Sequence, residues 1–148
     1  MLFNKFNGVA HLRREAGFPT QESFARAFDI PIGTVRNWEQ DARNSKTIGM
    51  LLLRVVAFDG QQAAKVQAQS LLLRDDSLLT SDVIRNVRLS FGNISQDKFC
   101  ARFGLKAKAL RNWEQGTRTQ LPAAAKTLFR IIDARPHLVE QALKTDFT

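Results

Sequence analysis

The pentapeptide Arg-Asn-Trp-Glu-Gln stands at residues 36–40 and again at 111–115. With usage near 5% per residue type, five matches in a row among about ten thousand position pairs have a chance of roughly one in a hundred. Sliding the sequence by 75 residues aligns 12–43 with 87–118 without a gap, and 11 of the 32 positions are identical. Beyond the pentapeptide these are Arg13/Arg88, Gly17/Gly92, Gln21/Gln96, Phe24/Phe99, Phe28/Phe103 and Arg43/Arg118. One residue inserted near Gln120 then lays LLRVV (52–56) on LFRII (128–132). The chain is one small unit of about 65–70 residues written twice, so whatever fold it takes must be built twice.

Within a unit the apolar spacing is helical. Phe24 and Phe28 are four apart, Val35 and Trp38 three apart, and Leu52, Val55 and Val56 follow the i, i+3, i+4 rule of one buried face. No stretch sustains the period-two alternation of a strand. Turn punctuation at AGFP, DIP, DAR and FDG, and at FGN, FGLK, GTRTQLP and ARP in the second unit, divides each unit into five short helices. Thr20 and Ser95 are good caps for the second helix of each unit. The expected architecture is therefore all-α in two tandem five-helix domains, 1–74 and 82–148, joined by a linker over 75–81 whose Leu78 and Leu79 argue against a loose tether.

Composition narrows the function. The 22 Lys and Arg against 14 Asp and Glu give +8 and a pI near 10.4, a balance that attracts phosphate backbones. Residues 1–59 hold 8 basic and 6 acidic side chains and 60–148 hold 14 and 8, so the second half carries most of that excess. The single cysteine, Cys100, excludes an internal disulfide, and with only His11 and His137 beside it no zinc set forms, so no metal and no cofactor are expected. No paired carboxylates, nucleophile and base spacing or glycine-rich phosphate loop points to an enzyme. There is no apolar run of membrane-spanning length and no secretory leader pattern, which makes a cytoplasmic protein, associated with the nucleoid at its targets, the expectation.

A helix opening on Ser/Thr-Gln, a Phe-Ala pair, a three-residue turn ending in an aliphatic, and a second helix closing on Trp-Glu-Gln is a specific pattern. TQESFARAFDIPIGTVRNWEQ and SQDKFCARFGLKAKALRNWEQG resemble the helix-turn-helix of the Cro/CI (Xre) family, closest to HigA-like antitoxins and phage or plasmid repressors. The resemblance covers both units and implies two lambda-repressor-like domains forming a pseudo-dimer on one chain.

The resemblance implies roles. Phe24, Ala25, Phe28, Ile30, Val35 and Trp38, with Phe99, Cys100, Phe103, Leu105, Leu110 and Trp113 as counterparts, would pack the pair together, Cys100 filling the small slot of Ala25. Recognition helices at about 32–40 and 107–115 would enter successive major grooves, with Thr34, Arg36, Asn37, Lys108, Arg111 and Asn112 reading base edges. Ile32, Gly33, Ala107 and Ala109 also fall on the outward side. Gln21, Gln96, Arg43, Lys106 and Arg118 would contact phosphates. Glu39 and Glu114 would hold the end of the recognition helix. Pro31 and Lys106 replace the usual Ser or Thr cap of that helix.

The implied function is a sequence-specific regulator of transcription, a repressor on steric grounds, binding an imperfect palindromic operator in double-stranded DNA as a monomeric pseudo-dimer or a homodimer. No small-molecule ligand and no membrane are implied. The alternative is a HigA-like antitoxin whose main partner is a toxin protein and whose DNA binding is autoregulatory.

Overall fold

The computed structural model describes residues 2–75, 77–116 and 121–147. Among them every regular element is helical, as the apolar period requires. The α-helices are α1 (Gly8–Glu15), α2 (Gln21–Phe28), α3 (Ile32–Gln40), α4 (Lys46–Gln69), α5 (Thr80–Leu89), α6 (Gln96–Phe103), α7 (Ala107–Gln115), α8 (Ala123–Ala134) and α9 (Pro136–Lys144), with 3-10 turns at Leu2–Asn4 and Ala42–Ser45. No helix among the described residues is long and apolar enough to cross a membrane.

The count of five helices per unit is met in an unexpected way. α4 is two helices end to end, because Asp59 (φ −158°, ψ 80°) leaves the helical region inside it. Its carboxylate accepts a hydrogen bond from the Gln62 backbone N–H at 3.1 Å and so caps the second segment. The counterpart of Asp59, 76 residues on, is Arg135 (φ −144°, ψ 69°), where Pro136 opens α9. Proline suits a first helical position because its missing N–H costs nothing there. Different residues thus make the same bend at matching places.

The second helices start on the caps read from sequence. Thr20 Oγ1 accepts from Ser23 N at 3.0 Å while Ser23 Oγ accepts from Thr20 N at 3.1 Å, and Ser95 Oγ accepts from Lys98 N at 3.1 Å. Both helices end in the left-handed region, at Asp29 (φ 54°) and Gly104 (φ 71°). Glycine adopts that conformation without strain; Asp29 holds it beside two arginines, described below.

The two units share one hydrophobic core. α4 packs on α8 and α9, so the long fourth helix of the first unit and its counterpart lie against each other. The contacts across this seam are reciprocal. Arg54 Nη2 donates to the carbonyls of Ala142 (3.1 Å) and Thr145 (2.8 Å) at the end of α9. Arg130, its counterpart, donates to the carbonyls of Leu72 (2.9 Å) and Leu73 (3.3 Å) just past the end of α4. Thr127 Oγ1 donates to Phe28 O at 2.6 Å, and Leu51, the counterpart of Thr127, lies against Gly104, next to the counterpart of Phe28. Leu73 is buried just ahead of the expected linker, but Leu78 and Leu79, expected to tie the linker down, are exposed, and α5 begins at Thr80, inside it.

Candidate nucleic-acid interface

Each unit presents two helices joined by a three-residue turn: α2 and α3 across Asp29–Pro31, and α6 and α7 across residues 104–106. The bounds of α3 and α7 are those expected for the recognition helices. The inward side of α3 is Val35 (0% exposed) and Trp38 (4%), and Phe24 and Phe28 beneath are wholly buried. In the second unit Leu110, Phe99 and Phe103 match them, and Cys100 takes the buried slot of Ala25. Burial, then the Asp97 charge, pushes the Cys100 thiol above its ordinary range, as expected of a packing residue.

The tryptophans differ. Trp38 is buried, because Gly49 on α4 leaves room for it: a Cβ there would stand 2.8 Å from Trp38 Cζ2. The counterpart of Gly49 is Ala125, and Trp113 is only half-buried, set edge-on to Phe129 with ring centroids 5.9 Å apart.

Glu39 and Glu114 answer why the pentapeptide carries a carboxylate. Arg13 Nε donates to Glu39 Oε2 at 2.9 Å and Gln21 Nε2 donates to Glu39 Oε1 at 3.2 Å. Arg88 Nε and Nη2 donate to the two oxygens of Glu114 at 2.8 Å each, and Gln96 Nε2 donates at 3.1 Å. The same atoms of duplicated residues make the same fork twice, joining the first helix, the start of the second and the end of the third. Arg13 Nη1 and Arg88 Nη1 extend the tie to the carbonyls of Phe18 and Ile94. Burial works against Glu114's charge, but hydrogen bonds from Arg88 and Gln96 and the charges of Arg88 and Arg85 outweigh it and hold the carboxyl below its ordinary range. In turn Glu114 raises Arg88. Sequence reading marked Arg13 and Arg88 as repeated without giving them a role; their identity in both units was the available signal.

The outward side carries most of the expected site residues. Arg36 and Asn37 are exposed and Thr34 half-buried on α3; Lys106, Lys108 and Arg111 are exposed and Asn112 half-buried on or beside α7. Ile32 and Ala107, expected outward, are instead half-buried and pack on the core, since the first turn of each third helix leans on its own second helix. Asn37 is partly engaged, its side-chain oxygen accepting from Asn44 Nδ2 at 3.1 Å. Gln21 and Gln96 are half-buried and turned to the carboxylates just described. Arg43 is 91% exposed along its side chain and pairs with Asp41 at 2.8 Å. The Arg43 hydrogen bonds hold the Asp41 carboxyl below its ordinary range. Arg118 lies outside the described residues. Neither Pro31 nor Lys106 caps its helix with a side chain, so both third helices begin with their first N–H groups uncapped.

No family model matches the chain, and no curated protein or solved structure matches it. The functional reading therefore rests on the residues alone. Chemically, the arrangement offers two like surfaces with guanidinium and amide groups on rigid helices, each helix locked from behind by an ion pair and an indole. Such groups suit the donor and acceptor patterns of base edges and the charge of phosphates.

Proposed function

We propose that this protein is a sequence-specific double-stranded DNA-binding regulator of the Cro/CI (Xre) type, a repressor in which one chain does the work of a dimer. α3 and α7 are its recognition helices, and each lies in a major groove. Arg36 and Arg111 read guanine and Asn37 and Asn112 read adenine, with Thr34 and Lys108 setting the difference between half-sites. Lys106, Arg43 and Arg118, with the helix starts at Gln21 and Gln96, hold the phosphates.

The observation that carries this reading is the repetition of an exposed Arg followed by an Asn, exposed at Asn37 and half-buried at Asn112, on the outer side of two helices, both fixed from behind by the same Arg, Gln and Glu fork. The reciprocal seam between α4 and α8 supports the one-chain arrangement: self-complementary contacts are those of a two-fold dimer, here joined covalently. Joining the halves replaces a concentration-dependent association with a fixed local concentration. Net charge of +8 supplies the attraction to the duplex.

Selection of DNA from a random pool by the full chain tests this. The expected product is an imperfect palindrome with half-sites about 10 base pairs apart, bound by one chain. Enrichment of a lone half-site would remove the pseudo-dimer, and no enrichment at all would remove the DNA reading.

A further inference from the structure

A cleft of about 920 Å³ opens at the seam between the two units. That volume falls in the range of small-ligand sites, about 300–1,000 Å³. Arg26, Arg74, Lys126 and Arg130 line it, with Asp29 as the sole carboxylate among the lining residues. Asp29 Oδ2 serves two guanidiniums, Arg74 Nη1 at 3.0 Å and Arg130 Nη1 at 3.1 Å. Their other bonds run to neutral oxygens, among them Ser70 O and Gln67 O for Arg74 and Leu72 O and Leu73 O for Arg130. Neutral acceptors satisfy geometry but leave charge, and Arg130 is 2% exposed. Burial, and then the neighbouring Arg74 charge, pulls Arg130 below the ordinary guanidinium range. The Arg26 side chain makes no hydrogen bond or ion pair among the described residues.

The fold does not demand this charged set. At the equivalent place in the repeat, Gly104 stands for Asp29 and Met50 for Lys126, Leu51 and Leu143 lie against Gly104, and a groove of about 510 Å³ there has Arg43, Lys46 and Arg54 on its walls. Both copies of the seam are open and basic; the first is the larger and holds Arg74 and Arg130 around a single carboxylate.

We propose that this cleft binds a small phosphate-bearing anion, a phosphate ester or diphosphate, through Arg26 and Arg74, with the charge of the buried Arg130 behind them. Such a ligand supplies Arg26, Arg74 and Arg130 with negative charge beyond that of Asp29, the one carboxylate they meet among the described residues. The starts of α3 and α8 lie at its wall, at Pro31 and Pro122. Because Ile30 and Pro31 lead directly into α3, occupancy bears on the setting of that helix. This last step rests on the DNA reading above; anion binding itself does not.

The test is calorimetric titration of the full chain, without DNA, using inorganic pyrophosphate in about 0.15 M salt. One saturable site per chain is expected. Arg26→Glu and Arg74→Gln should each weaken it about tenfold or more, while Lys65→Glu, an equal charge change to Arg26→Glu at an exposed place on α4, should leave it unchanged. Circular dichroism checks that each variant folds, and Arg26, whose side chain has no partner among the described residues, carries the test if Arg74→Gln does not. Absence of a saturable site, or equal weakening by Lys65→Glu, overturns the proposal. Displacement of pyrophosphate by non-specific duplex, with matching loss of DNA affinity in Arg26→Glu, also overturns it, because the cleft then serves the DNA backbone. Persistence of pyrophosphate binding in the presence of duplex supports a free ligand.

Discussion

Arg54 and Arg130 stand 76 residues apart at matching places in the two repeats, and each donates hydrogen bonds to backbone carbonyls of the other repeat. With the shared core, this makes the halves one cooperative unit. Single-tryptophan variants, Trp38→Phe and Trp113→Phe, each report on one half by fluorescence. In each variant the remaining tryptophan's fluorescence and the far-UV circular dichroism of the whole chain are expected to share one denaturant midpoint, with Arg130→Ala shifting both signals together by about 3 kcal/mol. Separate midpoints in one variant background would show independent halves.

The Arg88 and Glu114 pair predicts a pH dependence. Glu114 sits below its ordinary value of 4.5, so the folded state favours its ionised form. That contribution is complete above the ordinary range and is lost as pH falls through the lowered value. Glu114→Gln keeps the shape and is expected to cost about 2–3 kcal/mol at neutral pH. Its melting temperature should fall less steeply in acid than that of the parent. Parallel acid limbs in the two proteins would show that this carboxylate does not set the slope.

On the proposed outer faces, Arg36→Ala and Arg111→Ala are each expected to weaken specific binding by about 1–3 kcal/mol, on opposite half-sites. Binding to operators altered in one half at a time separates the two. Arg43→Ala should act alike on all sequences and lower the salt slope by about one. The loss of affinity should be small, because Arg43 leaves Asp41 to reach a phosphate. Uniform loss for all three would reduce the arginines to phosphate contacts.

Two glycines should respond oppositely to alanine. At Gly49 a Cβ would stand 2.8 Å from Trp38 Cζ2 and 2.9 Å from Ser45 Cβ, so Gly49→Ala should cost about 1–3 kcal/mol and quench or shift Trp38 emission. At Gly33 a Cβ meets nothing within 4 Å, and Gly33→Ala should stabilise α3 by about 0.5–1 kcal/mol. Thermal melts of the two variants decide both.

Local chemistry was legible along the chain. The caps at Thr20 and Ser95 and the inward Val35 and Trp38 are legible from residue type and spacing, because a helix's ends and inner face depend on residues within a few positions of one another; the bounds of α3 and α7 come from the family resemblance. The bend at Asp59 matches the break at FDG, though the sequence does not show that the two segments follow without an intervening loop. Ile32 and Ala107 were misplaced outward, since a helical wheel assigns one face while two neighbouring helices decide how much of the wheel is covered.

What the amino-acid order determined alone was a duplicated all-helical unit, with repeated arginine and asparagine opposite a repeated indole. Only the tertiary structure decided that Glu39 and Glu114 face Arg13 and Arg88 from 26 residues away, and that Arg54 and Arg130 clasp opposite halves. It also decided that Arg26, Arg74 and Arg130 meet in one cleft. These groups come together through chain closure over long separations, and nothing in local periodicity records which distant charge a buried guanidinium will meet.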